Sequence, residues 1–216
     1  MTRIKICGLK TLADVAAVNP YLPEYVGFVF ANTKRFVTDE QALLMKQALD
    51  KRIQTVGVFV DEPIEHVVSL CKKEIIDVVQ LHGAETDTYI KEIKEKTDVP
   101  VIKATKVQNV QQVYSQMSKE ADYMLFDTYK KGELGGTGER FPLEILEETL
   151  QRMMAEGKEV KPYFLAGGLS CTNIEEIVRQ VKDCYCVDVS TGVESDGVKD
   201  ERKIKTFIEM VRQIGG

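Results

Sequence analysis

Residues 55–81, with the sequence TVGVFVDEPIEHVVSLCKKEIIDVVQL, contain one complete unit of the pattern that decides the fold. Thr55 to Val60 and Asp77 to Leu81 are short runs rich in β-branched residues, which is typical of buried strands. Between them, Ile64 to Cys71 has apolar residues at helical spacing, and Asp61-Glu62-Pro63 supplies residues that favour a helix start. The segment therefore predicts a strand, a helix and a second strand parallel to the first.

The same unit occurs eight times along the chain, and each strand candidate is followed by a helical pattern. Residues that favour helix starts recur, as at Thr38, Thr86, Asn109 and Asn173. Eight parallel units joined by right-handed crossovers predict a small α/β protein, a closed eight-stranded (β/α)8 TIM barrel that forms a single domain over residues 1–216. The predicted strands are Arg3 to Cys7, Tyr25 to Phe30, Thr55 to Val60, Asp77 to Leu81, Val99 to Ala104, Tyr123 to Asp127, Tyr163 to Ala166 and Cys186 to Val189.

An open, doubly wound sheet is the alternative fold for this alternation. No G-x-G-x-x-G motif follows the first strand, although the dinucleotide-binding form of that fold carries one. Strand residues also alternate between polar and apolar, whereas strands buried on both faces of an open sheet are continuously apolar. We therefore favour the barrel.

Composition limits the classes of function. A net charge of -5 argues against a general nucleic-acid-binding protein, which needs a dominant basic surface. No stretch approaches the ~18 uninterrupted apolar residues of a membrane span, and the N-terminus does not have the pattern of a signal peptide. We expect a cytoplasmic protein, monomeric or homodimeric, without nucleic-acid or membrane partners.

The cysteines predict neither a disulfide framework nor a metal site. Five cysteines at irregular spacing in a chain of 216 residues suggest reduced thiols. Cys184 and Cys186 are too close for the usual C-x2-C zinc motif, and the two histidines, His66 and His82, are far from them in sequence. We expect no metal and no cofactor.

Five of the predicted strands carry polar residues on one face. Side chains alternate along a strand, and the opposite face should be apolar because it packs against helices, as Ile4 and Ile6 would. The polar face should therefore point into the barrel, with its last residues at the C-terminal end of the strands, where active sites of this fold lie. The inward sets are Lys5 and Cys7; Val78, Gln80 and His82; Val101 and Lys103; Leu125 and Asp127; and Cys186, Asp188 and Ser190.

Each inward residue also has a structural interpretation. Lys5 and Lys103 could form an interior ion-pair network with Asp188, Gln80 could satisfy backbone groups, and His82 could cap the next turn. A whole polar cluster is harder to explain as structure alone, because each buried charge without a partner costs several kcal/mol. We therefore expect Gln80, His82 and Asp188 to line a substrate site.

Three glycine-containing turns follow strands on the same predicted end of the barrel. Glycines 135, 136 and 138 lie in a long segment after the sixth strand, Gly167 and Gly168 follow the seventh strand, and Ser190 and Gly192 follow the eighth. Exposed backbone amides of such turns bind anions, and the loops after the last two strands are the usual phosphate site of this barrel. The predicted phosphate contacts are Gly136, Gly138, Gly167, Gly168, Ser190 and Gly192.

The residues alone thus predict an enzyme that acts on a small phosphorylated, anionic substrate. Cys7 and Asp127, at two strand ends, are its acid and base candidates. Arg35, in the loop after the second strand, has a planar group suited to a carboxylate, although a solvated arginine explains it equally well. A lysine Schiff-base aldolase that uses Lys5 or Lys103, and a noncatalytic phosphate sensor, remain alternatives.

Eight short motifs occur in order over nearly the whole chain: KICGL at 5–9, GFVF at 27–30, VGVF at 56–59, VQLHG at 79–83, LFD at 125–127, GGTG at 135–138, LAGGL at 165–169 and VDVSTGVE at 187–194. Together they resemble the motifs of the phosphoribosylanthranilate isomerase family of tryptophan biosynthesis. The resemblance implies an Amadori rearrangement of an aldose to a ketose without metal or cofactor. It also implies that Asp127 is the general acid, that Cys7 is the general base, and that Arg35 holds the anthranilate carboxylate.

Two departures from the family pattern, and one requirement of the chemistry, lead to further expectations. Residues 31–35 read ANTKR where the family usually has Ser-x-Ser-x-Arg, and Glu139-Arg140 stand where it commonly has Lys after the glycines. A cysteine base needs a lowered pKa, and an aspartic acid that donates near neutrality needs a raised one. We expect Lys5 and Lys103 to favour the Cys7 thiolate if they reach it.

Overall fold

Eight parallel strands close into a barrel in the computed structural model, which describes residues 2–117, 120–127, 143–181 and 183–214. Neighbouring strands pair in chain order, and the first strand pairs with the last through Arg3 with Cys186 and Lys5 with Asp188. This closed order confirms the (β/α)8 barrel and excludes the open sheet. The strands are β1 (Arg3–Cys7), β2 (Tyr25–Val29), β3 (Gln54–Phe59), β4 (Val78–Leu81), β5 (Val101–Lys106), β6 (Tyr123–Asp127), β7 (Tyr163–Ala166) and β8 (Cys186–Val189).

Helices follow the strands, and most of them begin at the predicted residues. Thr38, Thr86 and Asn109 each accept a hydrogen bond from a backbone N–H of the first helical turn. Pro63 and Asn173 occupy the corresponding positions before two other helices without a side-chain cap, so the sequence was a poorer guide there. The helices are α1 (Leu12–Val18), α2 (Asp39–Ala48), α3 (Ile64–Lys72), α4 (Asp87–Lys96), α5 (Val110–Ser115), α6 (Leu143–Ala155), α7 (Ile174–Gln180) and α8 (Glu201–Ile214), with a 3-10 turn (Asn19–Tyr21) after α1.

A short hairpin follows β8 and precedes the last helix. It consists of β9 (Glu194–Ser195) and β10 (Val198–Lys199), which pair antiparallel. The hairpin lies at the C-terminal end of β8, and Lys199 within it is buried. Among the described residues no helix is long and apolar enough to cross a membrane.

Two layers of buried side chains follow the alternation along the strands. Ile4, Ile6 and Val79 belong to the outer layer, which the helices cover. Val56, Leu125 and Phe164 belong to the inner layer, which fills the barrel. The predicted inward direction of the polar residues on β1, β4, β6 and β8 is thereby confirmed, because each shares a face with inner-layer residues of its strand.

Strand β5 departs from the predicted orientation. Ile102 and Ala104 belong to the inner layer and Val101 to the outer one, so Lys103 lies on the outer face. The prediction that Val101 and Lys103 face inward is therefore wrong. Apolar residues occupy both faces of this strand, so their pattern does not fix its orientation, and a shift of one residue reverses every side chain.

Aromatic side chains close the N-terminal end of the barrel. The Tyr25 hydroxyl lies 3.0 Å from that of Tyr185, which is 3.4 Å from that of Tyr123, and the Phe164 ring packs beside them. Burial is the main cause that raises the pKa of Tyr25 to about 12, so its hydroxyl stays protonated. This packed end leaves the C-terminal end for a ligand.

Candidate active site

Strand β1 carries Lys5 into the barrel and Cys7 to its C-terminal end. Lys5 is fully buried, and its Nζ donates to Asp188 Oδ2 of neighbouring β8 at 2.8 Å. Cys7, two residues further along the same face, is half-buried, and the charge of Lys5 acts on its thiol. The predicted ion pair of Lys5 with Asp188 thus lies directly under the thiol.

Burial and the neighbouring charges have opposite effects on the pKa values of Lys5 and Cys7. Burial alone would lower the pKa of Lys5, but the Asp188 and Cys7 charges raise it well above its ordinary value. Burial raises the pKa of the Cys7 thiol, and the nearby Lys5 charge lowers it only in part. Lys5 is therefore an ammonium ion near neutrality, and Cys7 is mainly a thiol.

Lys103 does not reach Cys7, and the expectation that it favours the thiolate is wrong. Its Nζ donates to the Gly83 carbonyl and to Glu85 Oε2, both at 2.7 Å, on the outer side of the barrel. These contacts also disfavour a Schiff-base aldolase. Lys103 faces away from the interior, and the buried ammonium of Lys5 has no free electron pair with which to attack a carbonyl.

Asp127 ends β6, and His82 is its neighbour across the mouth of the barrel. His82 Nε2 lies 3.3 Å from Asp127 Oδ2, and His82 Nδ1 lies 3.3 Å from Gln80 Nε2. An amide N–H of Gln80 directed at Nδ1 selects the tautomer whose proton is on Nε2, directed at Asp127. The structure thus brings together Gln80, His82 and Asp127, three of the residues singled out in the sequence.

Arg35 lies over the start of the loop that follows β1. Its Nε and Nη2 donate to the two carboxylate oxygens of Glu194 at 3.2 and 3.3 Å. Gly8 permits this position, since a Cβ at Gly8 would lie 2.4 Å from Arg35 Cδ. Arg35 is therefore a paired side chain beside Cys7, and the interpretation of a merely solvated arginine does not apply.

The turns after β7 and β8 adjoin the tip of β1. Gly167 and Gly168 have φ angles of 93° and 68°, in the region that favours glycine. Gly192 packs so closely on the preceding turn that a Cβ would lie 1.9 Å from the Leu169 carbonyl oxygen. Ser190 Oγ donates to the Cys7 carbonyl at 3.1 Å, which ties the last turn to the catalytic candidate.

The third predicted glycine turn lies outside the described residues. Gly136 and Gly138, together with Glu139 and Arg140, belong to residues 128–142. The phosphate contacts predicted for them stay predictions. The same applies to the departure from the family pattern at Glu139.

Two charged residues near the site were not singled out in the sequence. Glu194 pairs with Arg35, and Lys199 Nζ donates to Glu194 Oε1 at 2.8 Å and to the Ser190 carbonyl at 3.0 Å. Glu194 ends a quoted motif, but nothing in its spacing predicts a contact with a loop 159 residues earlier. Among the described residues, no group of three potential ligand residues could hold a metal ion.

Comparison with known proteins gives one consistent result. Residues 4–210 match the family model described as N-(5'phosphoribosyl)anthranilate (PRA) isomerase. The N-(5'-phosphoribosyl)anthranilate isomerase of Lachnoclostridium phytofermentans is 45% identical over 209 residues, which cover 95% of each chain. Similarity of this extent includes both the barrel and its C-terminal loops.

Solved structures agree with the sequence relatives. The phosphoribosyl anthranilate isomerase of Thermotoga maritima superposes with a TM-score of 0.83 at 32% identity, over 99% of this chain and 100% of that one. Another structure of such an isomerase, in complex with reduced 1-(o-carboxyphenylamino)-1-deoxyribulose 5-phosphate, gives a TM-score of 0.78 at 29% identity, over 99% of this chain and 100% of that one.

Proposed function

Because the chain belongs to the N-(5'-phosphoribosyl)anthranilate isomerase family of tryptophan biosynthesis, we propose that it catalyses an Amadori rearrangement in which Cys7 and Asp127 transfer the protons. The substrate is N-(5-phospho-β-D-ribosyl)anthranilate, and the product is 1-(2-carboxyphenylamino)-1-deoxy-D-ribulose 5-phosphate. No bond to the protein forms in this scheme, so the enzyme only moves protons and holds the two anionic ends of the substrate.

Asp127 acts as the general acid of the first step. Its carboxyl group protonates the furanose oxygen, the C1'–O bond breaks, and the ring opens to a protonated imine. The contact of 3.3 Å between His82 Nε2 and Asp127 Oδ2 supports this role, since it orients the carboxyl group at the mouth of the barrel. The half-buried position of Asp127 suits a proton donor that must also be reached by a sugar.

Cys7 acts as the general base of the second step. Its thiolate removes the C2' proton to give an enolamine, which tautomerises to the ketone. Lys5 supports this role because its positive charge favours the Cys7 thiolate. Burial opposes the thiolate, so the reactive form is a minor population near neutrality that grows with pH.

The two ends of the substrate bind on either side of Cys7. Arg35 binds the anthranilate carboxylate, and the backbone amides of the turns at Gly167, Gly168, Ser190 and Gly192 bind the phosphate. The tie of Ser190 Oγ to the Cys7 carbonyl supports this arrangement, since it sets the phosphate turn against the base. Gln80 and Asp188, which also face the interior, contact the ribose hydroxyls.

The single observation that carries the proposal is the buried pair of Lys5 and Asp188 beneath the Cys7 thiol. A charged pair costs free energy to bury, and here its ammonium is placed where it can favour a thiolate at a strand end. A structural ion pair would not need a thiol against it.

Activity of the purified protein tests the proposal directly. We expect consumption of phosphoribosylanthranilate without added metal, followed by the loss of its fluorescence. Cys7→Ala and Asp127→Asn should each lower kcat by at least about 100-fold, the lower range of general acid or base contributions. Full activity in either variant would refute its assigned role. Cys171→Ala, at a half-buried thiol on another loop, is the matched control and should retain activity.

A further inference from the structure

One edge of the Arg35 guanidinium is occupied by Glu194, and the other edge is available. The Glu194 carboxylate accepts one hydrogen bond from Nε and one from Nη2. The N–H groups of Nη1 and the second N–H of Nη2 make no hydrogen bond to the described residues. These remaining donors form a second planar fork, which matches a carboxylate as well as the first does. Arg35 can thus keep Glu194 and bind an anion at the same time.

Lys199 determines the net charge of this cluster. Arg35 and Glu194 alone would be neutral as a pair and would attract no anion over a distance. Lys199 lies against Glu194 Oε1 at 2.8 Å, with a side chain that is only 2% exposed, so the three groups together have one net positive charge. The Glu194 carboxylate therefore does not repel an incoming anion.

Lys199 also connects the cluster to the reacting centre. The same Nζ donates to the Ser190 carbonyl at 3.0 Å, and Ser190 Oγ donates to the Cys7 carbonyl at 3.1 Å. A continuous chain of bonds thus runs from Arg35 through Glu194, Lys199 and Ser190 to the tip of β1. This chain fixes the distance between the guanidinium and the sulfur before any ligand binds.

We propose that Glu194 is a positioning residue for Arg35 and that Lys199 is its counter-charge, so that together they preorganise the subsite for the substrate's aromatic carboxylate. The inference rests on the proposed function, which supplies that carboxylate. An arginine that is already ordered loses less side-chain entropy on binding. Glu194 should therefore act on substrate binding and leave the proton transfers almost unchanged.

A double-mutant cycle on KM tests this inference. Glu194→Gln should raise KM by about 3- to 10-fold, the cost of ordering one long side chain at binding, with kcat within about 2-fold. In an Arg35→Met background the same substitution should change KM by less than about 2-fold, because the group it orients is gone. The inhibition constant of inorganic phosphate should not change in any of these variants.

Lys203→Met is the matched control, since Lys203 Nζ donates to the backbone carbonyl of Glu194 and does not contact its carboxylate. It removes one positive charge from the first turn of α8, next to the hairpin, and should leave KM within about 2-fold. If Glu194→Gln leaves Lys199 unpaired and the protein does not fold, Glu194→Gln with Lys199→Gln provides the same cycle.

An unchanged or lowered KM in Glu194→Gln would overturn the inference, and so would an equal rise in both backgrounds or a parallel loss of phosphate inhibition. These results leave the proposed function standing, because the native protein still turns over the substrate. Absence of turnover in the native protein would refute the proposed function and, with it, the inference.

Discussion

Two buried lysine–carboxylate pairs lie on opposite sides of the barrel wall and differ in how fully they are hydrogen-bonded. Lys103, on the outer side, donates to Glu85 and to the Gly83 carbonyl, and Glu85 Oε1 also accepts the Asp61 N–H at 2.8 Å. Lys5, inside the barrel, donates to Asp188 Oδ2, while Asp188 Oδ1 is buried and has no hydrogen bond within the described part of the chain.

The difference separates a structural pair from one suited to chemistry. The outer pair joins the loops after β3 and β4 to β5, and its main polar groups are satisfied. The inner pair leaves one carboxylate oxygen unsatisfied beside a thiol, which costs about 1–3 kcal/mol for a buried acceptor. A substrate hydroxyl that donates to Asp188 Oδ1 would remove that cost on binding.

The largest expected effect comes from breaking the inner pair with Lys5→Met. Asp188 would be left buried without a partner, at a cost of about 3–5 kcal/mol of unfolding free energy. The Cys7 thiolate would also lose its favourable contact, so kcat should fall by at least about 10-fold at neutral pH, one unit of thiol pKa. Urea unfolding and steady-state kinetics measure the two effects.

Adding Asp188→Leu to Lys5→Met sharpens this result. Removal of both buried charges should restore much of the unfolding free energy. Activity should not return, since neither the ammonium nor the carboxylate is replaced. Recovery of activity together with stability would mean that the inner pair is only structural.

Breaking the outer pair should lower the stability of the protein and leave its activity unchanged. Lys103→Met should lower the unfolding free energy by about 3 kcal/mol, because Glu85 loses its cation while nearly buried. We expect kcat/KM to stay within about 2-fold, since Lys103 faces away from the interior. The rate of Cys7 alkylation, followed by mass spectrometry of its peptide, should equal that of the native protein, whereas Lys5→Met should slow it.

These two lysines also show what the sequence could and could not predict. The fold followed from the repeated strand and helix pattern, and the inward direction of Lys5 followed because Ile4 and Ile6 mark the outer face of its strand. Lys103 was assigned to the wrong face because Val101, Ile102 and Ala104 place apolar residues on both faces of β5. Alternation fixes orientation only where one face is clearly polar.

The site was predictable where strand order alone brings residues together. Cys7 and Asp127 end parallel strands of one barrel, and Asp188 is one residue from the end of another, so their proximity follows from topology. The contacts of Arg35 with Glu194 and of Lys199 with Ser190 depend on the paths of two loops and a hairpin. No local pattern encodes those paths, because they result from tertiary packing such as that of Arg35 on Gly8.

The pH dependence of Cys7 alkylation tests the inner pair by a smaller effect. Burial raises the pKa of Cys7, and only the thiolate reacts, so the alkylation rate should rise with pH by up to about 10-fold per unit from neutrality towards that pKa. Lys103→Met should have the native profile, and Lys5→Met should have its rise displaced to higher pH. An alkylation rate that is flat from neutrality upwards would contradict a Cys7 thiol whose pKa is raised by burial.

The smallest effect belongs to a partly exposed counterpart of both pairs. His66 Nε2 contacts Asp39 and Nδ1 contacts Glu62, each at 2.8 Å, which joins α3 to the start of α2. Burial alone would lower the pKa of His66, but the two carboxylates raise it. The stabilisation is therefore complete below the ordinary histidine pKa and is lost as pH rises through the raised one.

His66→Gln should lower the unfolding free energy by less than about 1 kcal/mol at acidic pH, as for other surface pairs, and should not change it at alkaline pH. Urea unfolding of both proteins across that range measures the difference, and a cost that grows with pH would refute the assignment. A cost comparable to that of Lys103→Met would mean that solvent exposure does not govern the strength of these contacts.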